Sequence, residues 1–313
     1  MNRVKEEFNT YKTFIELATR EELITFMKES YQNWEKNTNK EIVKYVLEFH
    51  QRFRFWGNLD PAKGDYELIK DRARVLKEKW EDIEKLYNEL SDYRSKDILI
   101  MILEHWLTFT YDRIEKVREH NFKPYFDMDL IDCHEEEVFA DLGAWKGDTI
   151  EDYMTTYGED SFKKIYSYEI LPTNLEILKE KFEGNKRISI SNKGVSDKSG
   201  VMYLSDNGSS DAQSLVKEGS FEVKTTTLDE DIPEKITFIK MDIEGSERAA
   251  IAGAREHIKK DHPKMAISIY HSNEDLVEIY KLIKEIQPNY NFYLRYYGLK
   301  YFPTDYLLIC VPK

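Results

Sequence analysis

Asp141, Gly143, Gly147 and Glu169 are the residues whose types and spacing first suggest chemistry. Three of them stand in Glu137-Val-Phe-Ala-Asp-Leu-Gly-Ala-Trp-Lys-Gly-Asp148, where the apolar run Val138-Phe139-Ala140 passes into glycines and then into a helical pattern. A strand that ends in glycine and feeds a helix is how open α/β sheets present a nucleotide-sized ligand to a helix N-terminus. Gly143 permits a turn that a side chain would block, and Gly147 lets the helix start near the ligand. Asp141 aims a carboxylate at the same crevice. Glu169 closes the following strand, about two dozen residues after the glycine turn, where an acid can hydrogen-bond both hydroxyls of a ribose. Asp197 or its neighbours, ending a third strand, would lie along the crevice near an adenine ring. The glycine spacing is not G-x-G-x-x-G, which disfavours a dinucleotide.

A second cluster is Lys240-Met-Asp242-Ile-Glu244-Gly245-Ser-Glu247. Side chains alternate along a strand, so Lys240, Asp242 and Glu244 project the same way if the strand runs that far. Acids crowded at a sheet edge repel one another unless a cation or a polar substrate compensates them. Glu247 falls in the first turn of a helix, where negative charge is favoured without any further role. His271, in Ile-Ser-Ile-Tyr-His-Ser, ends the next parallel strand. A lone histidine there is often a plain surface residue, but a strand neighbour such as Asp242 gives it something to act with.

The elements that must position these groups change character along the chain. Residues 1 to about 120 read as helical, without strand alternation. Phe14 to Glu29 and Lys40 to Trp56 make two helices, the second ending in the aromatics Phe49, Phe53, Phe55 and Trp56. Asp65 to Leu90 and Ser95 to His120 carry apolar stripes (Leu76, Trp80, Ile83, Tyr87; Leu103, Leu107, Ile114, Val117), and an antiparallel pairing across Ser91-Asp92 would bury both. From Val138 onward strand-like runs alternate with helices, which signals a parallel sheet with crossover helices. The runs are Lys164–Glu169, Ile188–Asn192, Thr237–Asp242 and Lys264–Tyr270. The last two, Asn291–Tyr297 and Tyr306–Val311, come late enough to pair antiparallel at the end. A helix from Ser246 to Lys260 follows Thr237–Asp242. The polar loop Asp206-Asn-Gly-Ser-Ser-Asp211 is a candidate cover over the crevice.

Composition bounds the function. A chain of 313 residues can bury a sizeable core. A net charge of −13 and a pI near 5.2 argue against a nucleic-acid partner. The two cysteines, Cys133 and Cys310, lie far apart without metal-ligand neighbours, so free thiols in a reducing compartment are expected. The start, MNRVKEEFNT, lacks the apolar core of a signal peptide, and no run is long enough for a membrane span. The expectation is a soluble, cytoplasmic protein.

Asp141-Leu-Gly-Ala-x-x-Gly-Asp, the Val-Ser-Asp turn at 195–197, Thr227-Leu-Asp229 and Phe238-Ile-Lys-Met-Asp-Ile-Glu-Gly-Ser-Glu247 together resemble the FkbM family of methyltransferases. The resemblance covers about residues 123 to 313, and Lys-x-Asp-x-Glu-Gly-x-Glu is its most specific element. It implies a Rossmann-like class I methyltransferase sheet, mostly parallel with the last strand antiparallel, and S-adenosylmethionine as cofactor. Two features depart from the family pattern: Glu169-Ile-Leu-Pro172 stands where Glu-Pro is common, and Tyr296-Tyr297 where a subgroup carries histidine. By resemblance, Asp141, Gly143, Ala144 and Gly147 cradle the methionine and ribose portions, Glu169 holds the ribose hydroxyls, and Ser196 and Asp197 border the adenine. Asp242 lies beside the sulfonium methyl with His271 next to it; His271 is expected to act as general base with Asp242 orienting it, or both to bind a divalent cation, magnesium or manganese.

These readings predict an N-terminal helical domain, 1–122, and a methyltransferase domain, 123–313. The helices' wide apolar faces and the short aromatic join Phe122-Lys-Pro-Tyr-Phe126 predict docking on the second domain or on a second copy of the chain. The expected activity is O-methylation of a hydroxyl on a sugar or similar polar metabolite. A non-catalytic cofactor-binding or docking module and a nicotinamide-dependent oxidoreductase are the rival readings.

Overall fold

Val138–Leu142 is buried at every position, and so is Phe238–Met241. Strands buried on both faces read as short continuous apolar runs, the pattern of a parallel sheet covered by helices. The computed structural model describes residues 2–204, 215–219 and 221–313. The chain divides into two units. One comprises residues 1–119 with 269–278 and 292–307, and the other 120–268 with 279–291 and 308–313.

The first unit is helical. Its helices are α1 (Arg3–Leu17), α2 (Arg20–Asn37), α3 (Lys40–Arg52), α4 (Glu67–Glu78), α5 (Trp80–Glu89), α6 (Tyr93–Thr108) and α7 (Asp112–Val117). Two-residue strands β1 (Leu59–Asp60) and β2 (Asp65–Tyr66) pair between α3 and α4. Several expected helices are shorter than the sequence suggests. The chain leaves helix at Ala18-Thr19, where Thr19 and Glu22 form a reciprocal capping box that starts α2. The stripe from 65 to 90 is broken at Lys79, and that from 95 to 120 at Phe109, which takes a left-handed φ of 55°. The antiparallel pairing expected across Ser91-Asp92 is replaced. Residues Ile98 to Leu103 are all buried, so α6 needs neighbours on more than one side, and it packs on α1 and α2. Phe8 of α1 stacks on Tyr87 at 3.9 Å and on Trp80 at 5.5 Å.

The second unit carries β3 (Val138–Leu142), α8 (Asp148–Tyr157), β4 (Lys164–Tyr168), α9 (Pro172–Lys181), β5 (Ile188–Ser191), β6 (Gly194–Val195), β7 (Gly200–Leu204), β8 (Leu215–Val216), β9 (Phe221–Thr226), α10 (Leu228–Asp231), β10 (Phe238–Met241), α11 (Glu247–Ala252), α12 (Arg255–Asp261) and β11 (Lys264–Ser268). Then follow α13 (Asp275–Ile286), β12 (Tyr290–Tyr296) and β13 (Tyr306–Pro312). The seven-stranded sheet has the order β12-β13-β11-β10-β3-β4-β5. The pairings from β11 through β10, β3 and β4 to β5 are all parallel. Phe139 of β3 stacks on Phe238 at 4.8 Å and on Tyr153 of α8 at 5.3 Å, which ties sheet to helix in one aromatic core. A smaller sheet, β6-β9-β7-β8, follows β5.

The expected helix from 246 to 260 is two helices, because the chain breaks at Gly253. A Cβ there would stand 2.0 Å from the Ser196 carbonyl oxygen, so only glycine lets the two segments approach. The 206–211 loop read as a cover lies outside the described residues. Among the described residues no helix is long and apolar enough to cross a membrane. Cys133 and Cys310 are both free thiols, as expected.

Candidate functional site

The parallel register places Lys240 opposite Asp141 and Asp141 opposite Ser167, so three polar side chains form one row across β10, β3 and β4. Lys240 is 2% exposed and Asp141 not at all; their charged atoms lie 3.2 Å apart. The Lys240 ammonium also donates to the Gly143 carbonyl at 2.6 Å and to the Leu142 carbonyl at 3.2 Å. Burial alone would lower the lysine's pKa, but the carboxylates of Asp141 and Asp242 outweigh it and hold the ammonium charged. Burial raises the pKa of Asp141, and Lys240 pulls it back. A buried cation therefore anchors the turn at which the first strand of the motif ends.

That turn is a backbone device. Gly143 has φ +80°, and a Cβ on it would fall 1.9 Å from the Asp242 carbonyl oxygen. Gly147 has φ +85°, and its Cβ would meet Phe182 at 2.6 Å and Leu178 at 3.1 Å. The glycines thus answer to neighbouring chain: Gly143 to the end of β10, Gly147 to the side chains of α9 and the loop after it. The Gly143 and Ala144 amides both donate to the Tyr168 carbonyl at 3.0 Å, which binds the turn to the end of β4.

A cavity of about 290 Å³ opens at this carboxyl edge of the sheet. This is where open α/β sheets bind ligands. Gly143, Glu169 and Asp242 line it; Asp141, Ala144, Gly147, Ser196 and Asp197 are not among its lining residues. Near the third strand its wall is Lys193, Gly194 and Val195, while Ser196 is buried and Asp197 exposed beyond it. Glu169 is buried, which raises its pKa against the stabilising donation of the Leu171 amide at 2.7 Å.

Several wall residues escaped the sequence reading. Tyr125 has φ +70°, rare for a bulky side chain, and its hydroxyl donates to Asp242 Oδ2 at 2.6 Å. Its ring also lies 5.2 Å from the Lys240 ammonium. Trp145 presents a 45% exposed indole beside the Gly143 turn, again with positive φ. Tyr168 donates to Asp231 at 2.9 Å, and Lys193 pairs with the same carboxylate. The sequence signals for Tyr125 were its place in the aromatic Phe122–Phe126 join and the likeness of Tyr125-Phe126-Asp127 to the leader of one FkbM subgroup, neither of which assigned it to the site.

The strand alternation expected to carry Lys240, Asp242 and Glu244 ends early. β10 stops at Met241, and Glu244 and Gly245 adopt φ of 55° and 93° in a tight turn. Both Asp242 and Glu244 still line the cavity. Glu247, at the first position of α11, accepts the Ile243 amide at 2.9 Å and so braces this turn. His271 belongs to the helical unit. It is not a surface residue: it is 4% exposed, with its ring edge-on to Phe55 at 5.0 Å.

Residues 141–295 match the methyltransferase FkbM domain. Among solved structures the chain is similar to the methyltransferase FkbM of Methylobacillus flagellatus KT, at 25% identity and a TM-score of 0.65 over 76% of this chain. This chain spans 60% of that protein's length. More distant similarities are to an rRNA methylase from Streptococcus thermophilus (14% identity, TM-score 0.40, 62% of this chain and 99% of that one) and to fibrillarin of Aeropyrum pernix in complex with S-adenosyl-L-methionine (12%, 0.36, 57% and 67%). No curated protein matches the chain.

Proposed function

Because the chain belongs, through residues 141–295, to the FkbM methyltransferase family, we propose that it transfers a methyl group from S-adenosylmethionine to a hydroxyl of a sugar or similarly polar metabolite. The observation that carries this reading is one cavity lined by Gly143, Glu169 and Asp242 at the carboxyl edge of a parallel sheet.

The residues present fit the cofactor. Glu169 offers a carboxylate to two ribose hydroxyls, and Leu171, Val195 and Leu215 offer apolar surface to a base. Asp148, Glu169, Asp242 and Glu244 line the cavity against Lys193 and Lys240, and the charge of Lys240 is already opposed by buried Asp141. Such a wall favours a cationic group. Bound there, the cofactor supplies an electrophilic methyl on a sulfonium. Asp141 Oδ2 is buried without a hydrogen bond among the described residues, and it is available to an ammonium or a bridging water.

Methyl transfer is an in-line displacement, so positioning supplies much of the rate. In this reading Asp242, steadied by the Tyr125 hydroxyl, holds the acceptor. The reading extends to His271 from chain order alone: β11, which pairs with β10, ends three residues before it. A neutral histidine can accept the hydroxyl proton, or join Asp242 in holding magnesium or manganese. Ser196 and Asp197 remain proposed neighbours of the adenine, and Ala144 and Gly147 of the methionine portion.

Calorimetry with S-adenosylhomocysteine tests the cofactor assignment. Glu169→Gln should weaken binding about 10- to 150-fold, the loss of a charged acceptor worth about 1.5–3 kcal/mol. Tight NADH binding with no affinity for the methyl donor overturns the reading. Turnover of a labelled methyl donor with polyol and saccharide acceptors separates an enzyme from a non-catalytic binding module.

A further inference from the structure

Trp145 occupies a strained place in the turn that follows Gly143. The Gly147 amide donates to the Ala144 carbonyl at 2.8 Å, so residues 144–147 form a tight turn. At its second position Trp145 has φ +46°, a conformation for which turns use glycine, asparagine or aspartate. For a bulky side chain that φ is an outlier. Other large residues with such a φ recover its cost elsewhere. Phe109, at φ 55°, is fully buried, and Tyr125, at φ 70°, bonds Asp242 through its hydroxyl. The Trp145 indole stays 45% exposed. The Lys146 ammonium lies 4.6 Å from its ring centre, an attraction that returns little at so open a site.

Core packing therefore does not account for the strain, and strained residues of this kind cluster at ligand clamps. The surroundings of Trp145 supply such a ligand site. It lines the cavity at the carboxyl edge of the sheet, and its backbone amide donates to the Glu169 carboxylate. The turn thus sets a partly uncovered indole beside the acid proposed to hold the ribose hydroxyls. Tryptophan there offers a large, rigid apolar face at a small cost in conformational entropy.

We propose that the indole of Trp145 packs against the ribose of the bound cofactor. The inference rests on the cofactor assignment and adds a contact to it. Glu169 selects the ribose hydroxyls, and Trp145 keeps water from competing for their hydrogen bonds, which strengthens them.

Fluorescence provides the test. Of the five tryptophans, Trp56, Trp80 and Trp106 are at most 6% exposed, so acrylamide quenching reports chiefly Trp145 and Trp34. Trp145→Phe identifies the Trp145 share by subtraction. Saturating S-adenosylhomocysteine should reduce that share and leave the remainder unchanged. Trp145→Gly deletes the ring while permitting the φ. Calorimetry should find its S-adenosylhomocysteine binding weakened about 10-fold or more, the worth of an indole partly removed from water. Should the glycine variant not fold, the quenching of the parent protein decides. Two results overturn the proposal and leave the cofactor assignment standing: calorimetric binding to the parent without protection of Trp145, or a folded Trp145→Gly that binds as the parent does. A parent protein that does not bind S-adenosylhomocysteine overturns both.

Discussion

Lys240→Met removes the cation that the interior has built around the glycine turn. Asp141 is fully buried and, among the described residues, its ion-pair partner is Lys240, at 3.2 Å. In the variant the carboxylate must stay charged without its partner or take up a proton. Protonating a carboxyl of ordinary pKa near 3.9 at pH 7 costs about 1.36 × 3.1, or about 4 kcal/mol. That caps the electrostatic loss, and it agrees with the roughly 3–5 kcal/mol lost when one partner of a buried pair is deleted. The sign with pH follows from Asp141. Burial raises its folded pKa and Lys240 lowers it, so removing Lys240 raises it further. A group with a raised folded pKa gives stability that is full below its unfolded pKa and is lost as pH rises toward the folded one. The variant should therefore recover as pH falls, by about 1.4 kcal/mol per unit between the ordinary carboxylate range and the raised value. Lysine's own titration, raised above 10.5, lies outside this window. Urea unfolding of the parent, Lys240→Met and Lys240→Met with Asp141→Asn, between about pH 5 and 8, measures it. The double variant should lose the slope and unfold at higher urea than the single one at pH 7. A penalty for Lys240→Met that does not change with pH, or a double variant no more stable than the single, refutes the reasoning.

Three further outcomes are expected. Gly143→Ala places a methyl 1.9 Å from the Asp242 carbonyl at a φ of +80°, so the ends of β3 and β10 must part; calorimetry should find cofactor-product binding lost, and parent-like affinity would refute this. Tyr125→Phe removes the hydroxyl 2.6 Å from Asp242; kcat/KM should fall about 10-fold or more, the worth of a hydrogen bond to a charged group, while product affinity stays near the parent's. Unchanged kcat/KM would show that Asp242 needs no such support. His271→Ala should lower kcat by ~10²–10⁴-fold with cofactor affinity retained, the usual contribution of a positioned base; EDTA abolishes turnover only if a metal shares the work, and parent-rate turnover by the variant removes His271 from the mechanism.

The strands were legible because their signal is local. Val138-Phe139-Ala140 and Phe238-Ile239 are apolar since both faces of the sheet are covered, and that requirement is written in a few consecutive residues. The helical breaks were harder. An apolar stripe keeps its phase across a one-residue interruption, so Lys79 and Phe109 left no mark in the periodicity, although Thr19-x-x-Glu22 was a readable start signal. Within the site, Gly143 and Glu169 announced themselves by residue type at a strand end. Lys240 stood out as part of the Lys-x-Asp-x-Glu cluster, but its burial and its partner, 99 residues earlier, left no local mark. Only the register that sets Lys240 opposite Asp141 turns an edge charge into a buried anchor. Gly147 has a second reason to be glycine that the sequence does not show. Its type suggests approach to a ligand, and the atoms that forbid a side chain belong to Leu178 and Phe182, some thirty residues on in sequence. Tyr125 combines both difficulties, since a left-handed bulky residue has no propensity signal and its partner, Asp242, is 117 positions on. The Gly143 turn is thus specified twice: locally by glycine, which permits the φ, and at long range by Lys240, which holds the carbonyl. A turn held that way is pre-ordered, so under the proposed function it would have little ordering left to lose on binding cofactor.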